Sequence, residues 1–222
     1  MGLASTRLES FRPVLRSLLV VVWTVSVGFG MKMLLDYQAR PGEPARAPAR
    51  WPATSGIPRA AGVPALVLAA HPRCPCTRAT LAELERVVAA TRGGLEVTVL
   101  FVIPPGLDPA WAHVDLWQSA SSIPGVRVVE DRGGLEARRF GARTSGQALL
   151  FDAGGALVFA GGITRGRGHE GDNAGRDAIV SLVLRHSSAR VETPVYGCPF
   201  ASAVPGSPGS SGFEEEGRRC RR

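Results

Sequence analysis

Cysteine is scarce in this chain. Four cysteines in 222 residues are too few to build a disulfide scaffold, so each has to be read by its position. A concentrated basic surface is lacking too. The net charge is +7, yet the basic residues are almost all arginine and are scattered. There is no basic helix and no patch interleaved with aromatics. That pattern excludes nucleic acid as an expected partner and assigns the charge to solvated surface and tails. What the chain does have is a hydrophobic fraction of 45%, enough for one packed domain with appendages.

The first 16 residues are polar, with Arg7, Arg12 and Arg16. Residues 17–36 are then mainly apolar, nearly unbroken from Leu18 to Met31, with Met33, Leu34 and Leu35 beyond Lys32. A bilayer takes about 20 such residues, and a terminal lysine can snorkel to the interface. A cleaved signal peptide has a shorter apolar run and a small-x-small site. Gly28-Phe29-Gly30 is a poor version of that site, with Lys32 just after it, so an uncleaved anchor is expected. Lys32, Arg40, Arg46 and Arg50 balance the N-terminal arginines, so charge does not fix the orientation. The short N-terminus makes N-in, domain-out the default for a single-pass protein. Residues 37–62 carry Pro41, Pro44, Pro48, Pro52 and Pro58 and read as an extended, partly stiff linker. Trp51, its one bulky apolar residue, is expected on the membrane interface or on the domain.

The folded domain is expected over residues 63–190. Its organising stretch is His71-Pro72-Arg73-Cys74-Pro75-Cys76-Thr77. The apolar run Pro64–Ala70 before it has strand length, and Leu81, Leu84, Val87 and Val88 after it recur at helical spacing. Thr80 and Glu83 have the spacing of a capping box. Two cysteines therefore sit at or near the positive end of a helix, which favours thiolate. Further on, Leu95–Ile103 reads as a buried strand and Asp108–Ser119 as a helix with Pro109 at its first position. Val126–Glu130 reads as a short strand and Leu135–Phe140 as a short helix. Gln147–Phe151 and Ala156–Ala160 read as a β-hairpin, and Asn173–His186 as a terminal helix. This order, β-α-β-α-β-α-β-β-α, implies a mostly parallel sheet closed by an antiparallel hairpin strand. Residues 191–222 are a C-terminal segment and a disordered tail; Cys220 lies in that tail and has no expected structural role.

A β-α-β-α-β-β-α core with cysteines at its first strand–helix turn resembles the thioredoxin-like superfamily. Phe140–Phe151 is similar to the thioredoxin segment that leads into its hairpin. The extra helix and strand within Asp108–Asp131 fall where the TlpA/ResA and AhpC/TSA branches insert theirs. An N-terminal anchor is also shared by membrane-anchored TlpA/ResA-type thiol–disulfide oxidoreductases, and the bacterial RedB group is a similar case. The resemblance implies an α/β three-layer sandwich, with a mixed sheet and a C-terminal hairpin, preceded by one transmembrane helix. It also implies thiol–disulfide exchange with protein thiols or disulfides, a redox partner in the membrane, no cofactor, and substrate docking at Thr144 and Gly146. Two departures stand out. The family has Cys-x-x-Cys where this chain has Cys74-Pro75-Cys76. Gly146 stands where the family has a cis-proline that positions substrate backbone.

In the redox reading Cys74, nearest the helix start and most exposed, attacks, and Cys76 resolves. Cysteines two apart can pair only if the chain turns, which Pro75 permits; the small ring would be strained and readily reduced. Arg73 or Arg78 would add positive charge, and His71 would tune the thiolate or cap the strand. The alternative is a thioredoxin-like binding or delivery protein for copper(I) or another thiophilic ion. Cys74, Cys76 and His169 would be its ligands, as in Sco-type copper-delivery proteins, whose cysteine spacing differs. A peroxidase-like enzyme ranks last, because a conventional peroxidatic motif is missing. Cys198, in Tyr196-Gly197-Cys198-Pro199-Phe200, has apolar neighbours that predict docking onto the domain. It reads as a third redox partner, a metal ligand or a buried inert cysteine. The Gly-x-Gly-x-x-Gly at 166–171 follows a hairpin instead of opening a β-α-β unit, so it is read as a turn-rich loop and not as a dinucleotide site. His113 and His186 read as surface residues.

Overall fold

The computed structural model describes residues 3–185 and 190–200. His186, Cys220 and the tail beyond 200, where disorder was expected, lie outside the described residues. The chain divides into two compact units at Arg40/Pro41.

The first unit is helix α1, Leu3–Ala39. It includes Pro13 and runs on past the expected anchor to Ala39, with no further proline until Pro41. Within it, Val14–Ala39 is long and apolar enough to cross a membrane. Twenty-six residues of helix measure about 39 Å, against about 30 Å of hydrocarbon. Apolar side chains such as Val20, Trp23, Phe29 and Leu34 are exposed within this unit. Thr24 and Ser26 donate their hydroxyls back to the carbonyls of Val20 and Val22, which satisfies both polar groups within the helix.

The second unit is built on a six-stranded sheet in the order β3-β2-β1-β4-β5-β6. Its strands are β1 (Ala65–Ala70), β2 (Glu96–Ile103), β3 (Val126–Arg132), β4 (Gln147–Phe151), β5 (Leu157–Gly161) and β6 (Val191–Glu192). β1, β2 and β3 are mutually parallel, β4 is antiparallel to β1, and β5 is antiparallel to β4. β6 adds a short parallel edge to β5. The central strand β1 is buried along its whole length, as expected for Ala-Leu-Val-Leu-Ala-Ala covered on both faces.

Period-two alternation divides the core. Leu66, Leu68 and Ala70 of β1, with Val97, Val99 and Phe101 of β2, face α2 (Pro75–Thr91) and α5 (Ala174–Arg185). Val67 and Leu100 face the opposite way with Leu149 and Phe151. That second face is served by only one short helix, α4 (Leu135–Arg139), and the proline-rich stretch covers what α4 does not. The stretch is extended, as expected, yet it is packed onto the domain. Trp51 meets Phe140 and Phe151 edge-on at 4.9 and 5.2 Å, and Ile57 is buried beside them. Its backbone is tied by Arg46 N to Gly141 O and Trp51 N to Gly155 O. Apolar area left bare by a short α4 is enough to draw a tryptophan-bearing segment down.

Two local expectations change. Asp108–Ser119 is broken into a 3-10 turn, Pro109–Ala112, and a separate helix α3, Asp115–Ser122. Asp108 caps the first through Ala110 N at 2.8 Å, and extended Val114 interrupts the run. Helix α2 starts at Pro75, before Thr80, so Thr80 and Glu83 are interior to it and form no capping box.

Candidate functional site

The site lies where β1 delivers the chain to α2, at the carboxyl end of the central strand. Cys74 is the N-cap residue of α2, Pro75 its first residue and Cys76 its second. Proline suits that first position because the helix needs no N–H there. The turn is braced from beneath. His71 N donates to Ser145 Oγ at 2.9 Å, the Thr77 hydroxyl donates to His71 O, and the Thr77 and Ser145 hydroxyls meet at 3.1 Å. The His71 ring accepts from Arg73 N and stands edge-on to Trp111. His71 is therefore built into the turn.

A third thiol completes the site. Cys198 returns across the domain so that its Sγ lies 3.0 Å from Cys74 Sγ. A disulfide is about 2.05 Å, so this is a thiol–thiol contact, and none of Cys74, Cys76 and Cys198 is in a disulfide. The segment carrying Cys198 is fastened on both sides. Cys198 O accepts from Ser145 N at 2.8 Å, and Phe200 N donates to Arg143 O at 2.7 Å, an antiparallel bridge that pairs Thr144 with Pro199. Gly42 N donates to Val195 O at 2.8 Å, and Val195 is buried. Gly197 passes so close to Ser145 that a Cβ there would sit 1.9 Å from its carbonyl oxygen. Only glycine allows this approach.

Electrostatics favour one anion. Hydrogen bonds from the Cys198 and Cys76 thiols hold Cys74 far below the usual thiol range, against the opposing effect of burial. Cys76 is pushed up because it bonds to, is buried beside and is repelled by that neighbour; Arg167 acts in the other direction. The pair therefore keeps one proton on Cys76 and the negative charge on Cys74, at a helix N-terminus.

The expected positions are met unevenly. Cys74 and Cys76 lie together. Cys74, however, is 1% exposed, where the greatest exposure was expected, because the Cys198 segment lies against it. Arg73 stacks over Trp111 at 5.0 Å, and Arg78 pairs with Asp115, so the cation at the thiols is Arg167. Arg167 Nη1 also donates to Gly197 O at 2.6 Å. It comes from the turn-rich loop singled out for His169, two residues away. His169 itself is exposed, its N–H donating to Gly166 O. Among the described residues no group of three or more His, Cys, Asp or Glu is arranged to hold a metal ion. The set Cys74, Cys76 and His169 thus does not fit copper(I) in this arrangement. Thr144 is fully buried, its hydroxyl donating to Glu43 O. Gly146 adopts φ +89°, and its N–H bonds to Ala69 O; the Cys198 segment covers both positions. His113 bonds Glu130 at 2.9 Å on the exposed side.

No family model matches the chain, and no curated protein matches it. Solved structures do. A hypothetical protein, SMc02350 from Sinorhizobium meliloti 1021, is 19% identical at a TM-score of 0.53, over 75% of this chain and 99% of its own. An uncharacterized conserved protein from Geobacillus kaustophilus is 13% identical at 0.52, over 77% and 94%. A secreted Mycobacterium tuberculosis disulfide oxidoreductase homologous to E. coli DsbE is 17% identical at 0.40, over 56% and 83%. Three parallel strands, an antiparallel hairpin beyond β1 and a cysteine turn at the end of β1 decide the architecture. The fold is thioredoxin-like. Gly146 occupies the loop entering β4 of this thioredoxin-like domain, and no cis peptide is present among the described residues.

Proposed function

We propose that this chain is a thiol–disulfide oxidoreductase with Cys74 as the attacking thiolate and Cys76 among its partner thiols. It would be tethered by residues 17–36 to the inner membrane and act on protein thiols or disulfides on the periplasmic side. The carrying observation is the buried Cys74 sulfur, 3.0 Å from a second thiol and at the N-cap of α2. Such a thiol is anionic near neutral pH and can attack a disulfide sulfur. Packing alone would place no thiolate there. In the copper(I) reading His169 would not serve as a ligand, since it is exposed and not grouped with the thiols among the described residues.

A variant lacking both neighbouring thiols, Cys76→Ser with Cys198→Ser, should accumulate mixed disulfides between Cys74 and partner proteins, released by reductant. Adding Cys74→Ser should abolish them. Adducts that persist without Cys74, or none in the double variant, would refute the exchange reading.

A further inference from the structure

Cys76 is the obvious resolving thiol by sequence, but the geometry favours a different one. Cys74 has an extended backbone, φ −84° and ψ 121°, and Cys76 is already the second residue of α2. Closing a disulfide between them makes a small ring and must distort the helix start. The Cys198 sulfur, by contrast, comes from a segment remote in sequence and outside α2, and it already lies 3.0 Å from Cys74 Sγ. That segment is held on both sides of the cysteine by the Ser145 and Arg143 bonds, and by Arg167 on Gly197 O. A close fit at Gly197 and a buried Val195 fix its path. Phe200 packs on the cluster of Ala69, Val102, Ala137 and Ala142. An inert cysteine would need none of this to place one sulfur on another.

We propose that Cys198 is the resolving thiol, so that the catalytic disulfide is Cys74–Cys198 and residues 193–200 form a movable strap over the attacking sulfur. The proposal rests on thiol exchange at Cys74. With the strap seated Cys74 is buried, so a partner disulfide enters as the strap lifts. The Cys74 thiolate attacks one partner sulfur; the Cys74–partner bond forms, the partner's own S–S bond breaks, and one partner thiolate leaves. The strap then returns. Cys198 gives its proton to solvent and attacks Cys74 Sγ; the Cys74–Cys198 bond forms, the mixed disulfide breaks, and the second partner thiolate departs. Two protein thiols have become one disulfide, and the partner disulfide has become two thiols. Run backwards, the same steps oxidise a partner dithiol.

The test uses the full chain in detergent, fully reduced and then exposed to oxidised glutathione, with acid quenching and disulfide mapping by mass spectrometry. Wild type should yield the Cys74–Cys198 link. Cys198→Ser should retain glutathione on Cys74 at about tenfold the wild-type level, whereas Cys76→Ser should still form the Cys74–Cys198 link. A Cys74–Cys76 link in wild type, or clearance by Cys198→Ser at the wild-type rate, overturns the role of Cys198 and leaves exchange at Cys74 standing. If Cys74 is unmodified in all three proteins, exchange at Cys74 itself fails, and the proposal with it.

Discussion

At the scale of single residues, the chemistry depends on where one negative charge rests. Cys74 is held low by two thiol donors and Cys76 is raised by the charge that results. An unfolded thiol titrates at about 8.5. Because the folded Cys74 value is depressed below that, its stabilising contribution is fully present above about pH 8.5 and is lost as pH falls through the folded value. Cys76 has the opposite sign: its contribution is present below the unfolded value and lost as pH rises towards its raised one. Between about pH 6 and about pH 8, reduced wild type should therefore gain stability over Cys74→Ser as pH rises. Denaturant unfolding of both proteins across that range checks it; parallel curves would show that the folded state does not favour a Cys74 thiolate. The cysteine turn was legible in the sequence, because the strand-length apolar run before it and the helical repeat after it are local signals. Docking of the Cys198 segment was legible in its apolar neighbours, with a third redox partner one of three readings, but the contact with Cys74 spans 124 positions and no periodicity reports it. Arg167 was missed for a related reason. A loop full of glycine shows that a side chain can be carried to the site, not which one arrives.

At the scale of elements, α2 and the loop before α5 have to stay in register for Arg167 and Cys76 to meet. Glu83 makes that connection from the middle of α2. Its carboxylate is fully buried and accepts from Gly171 N at 2.7 Å, Asn173 Nδ2 at 3.2 Å and Arg176 Nη1 at 2.9 Å, with Arg86 beside it. Asn173 in turn caps α5 through Arg176 N at 2.7 Å. Sequence spacing suggested a capping role for Glu83, and the true role is tertiary because the helix begins a turn and a half earlier. Removing one member of a buried charged network strands the others. Glu83→Ala should therefore cost about 3 kcal/mol of stability, measured by denaturant unfolding. A loss below about 0.5 kcal/mol would show that the network is not structural. The proline-rich stretch was legible only in part. Its composition correctly reports an extended backbone, but not that α4 leaves sheet surface for Trp51 and Ile57 to cover.

At the scale of the whole molecule, an apolar helix and a thioredoxin-like domain occur in one chain. The helix Val14–Ala39 can cross a membrane by length and composition. Expressed in bacterial cells, the protein should resist alkaline extraction from the membrane fraction. An impermeant protease applied to spheroplasts should digest residues beyond about 40, since a span uses about 20 residues. Full protection would refute the domain-out orientation. The most direct test of the central claim is a redox titration of the full chain in glutathione buffers, read by trapping of free thiols, with and without copper(I). One two-electron transition is expected, retained in Cys220→Ser, lost in Cys74→Ser and present without metal. A transition that survives Cys74→Ser, or none in the wild type, would contradict the claim.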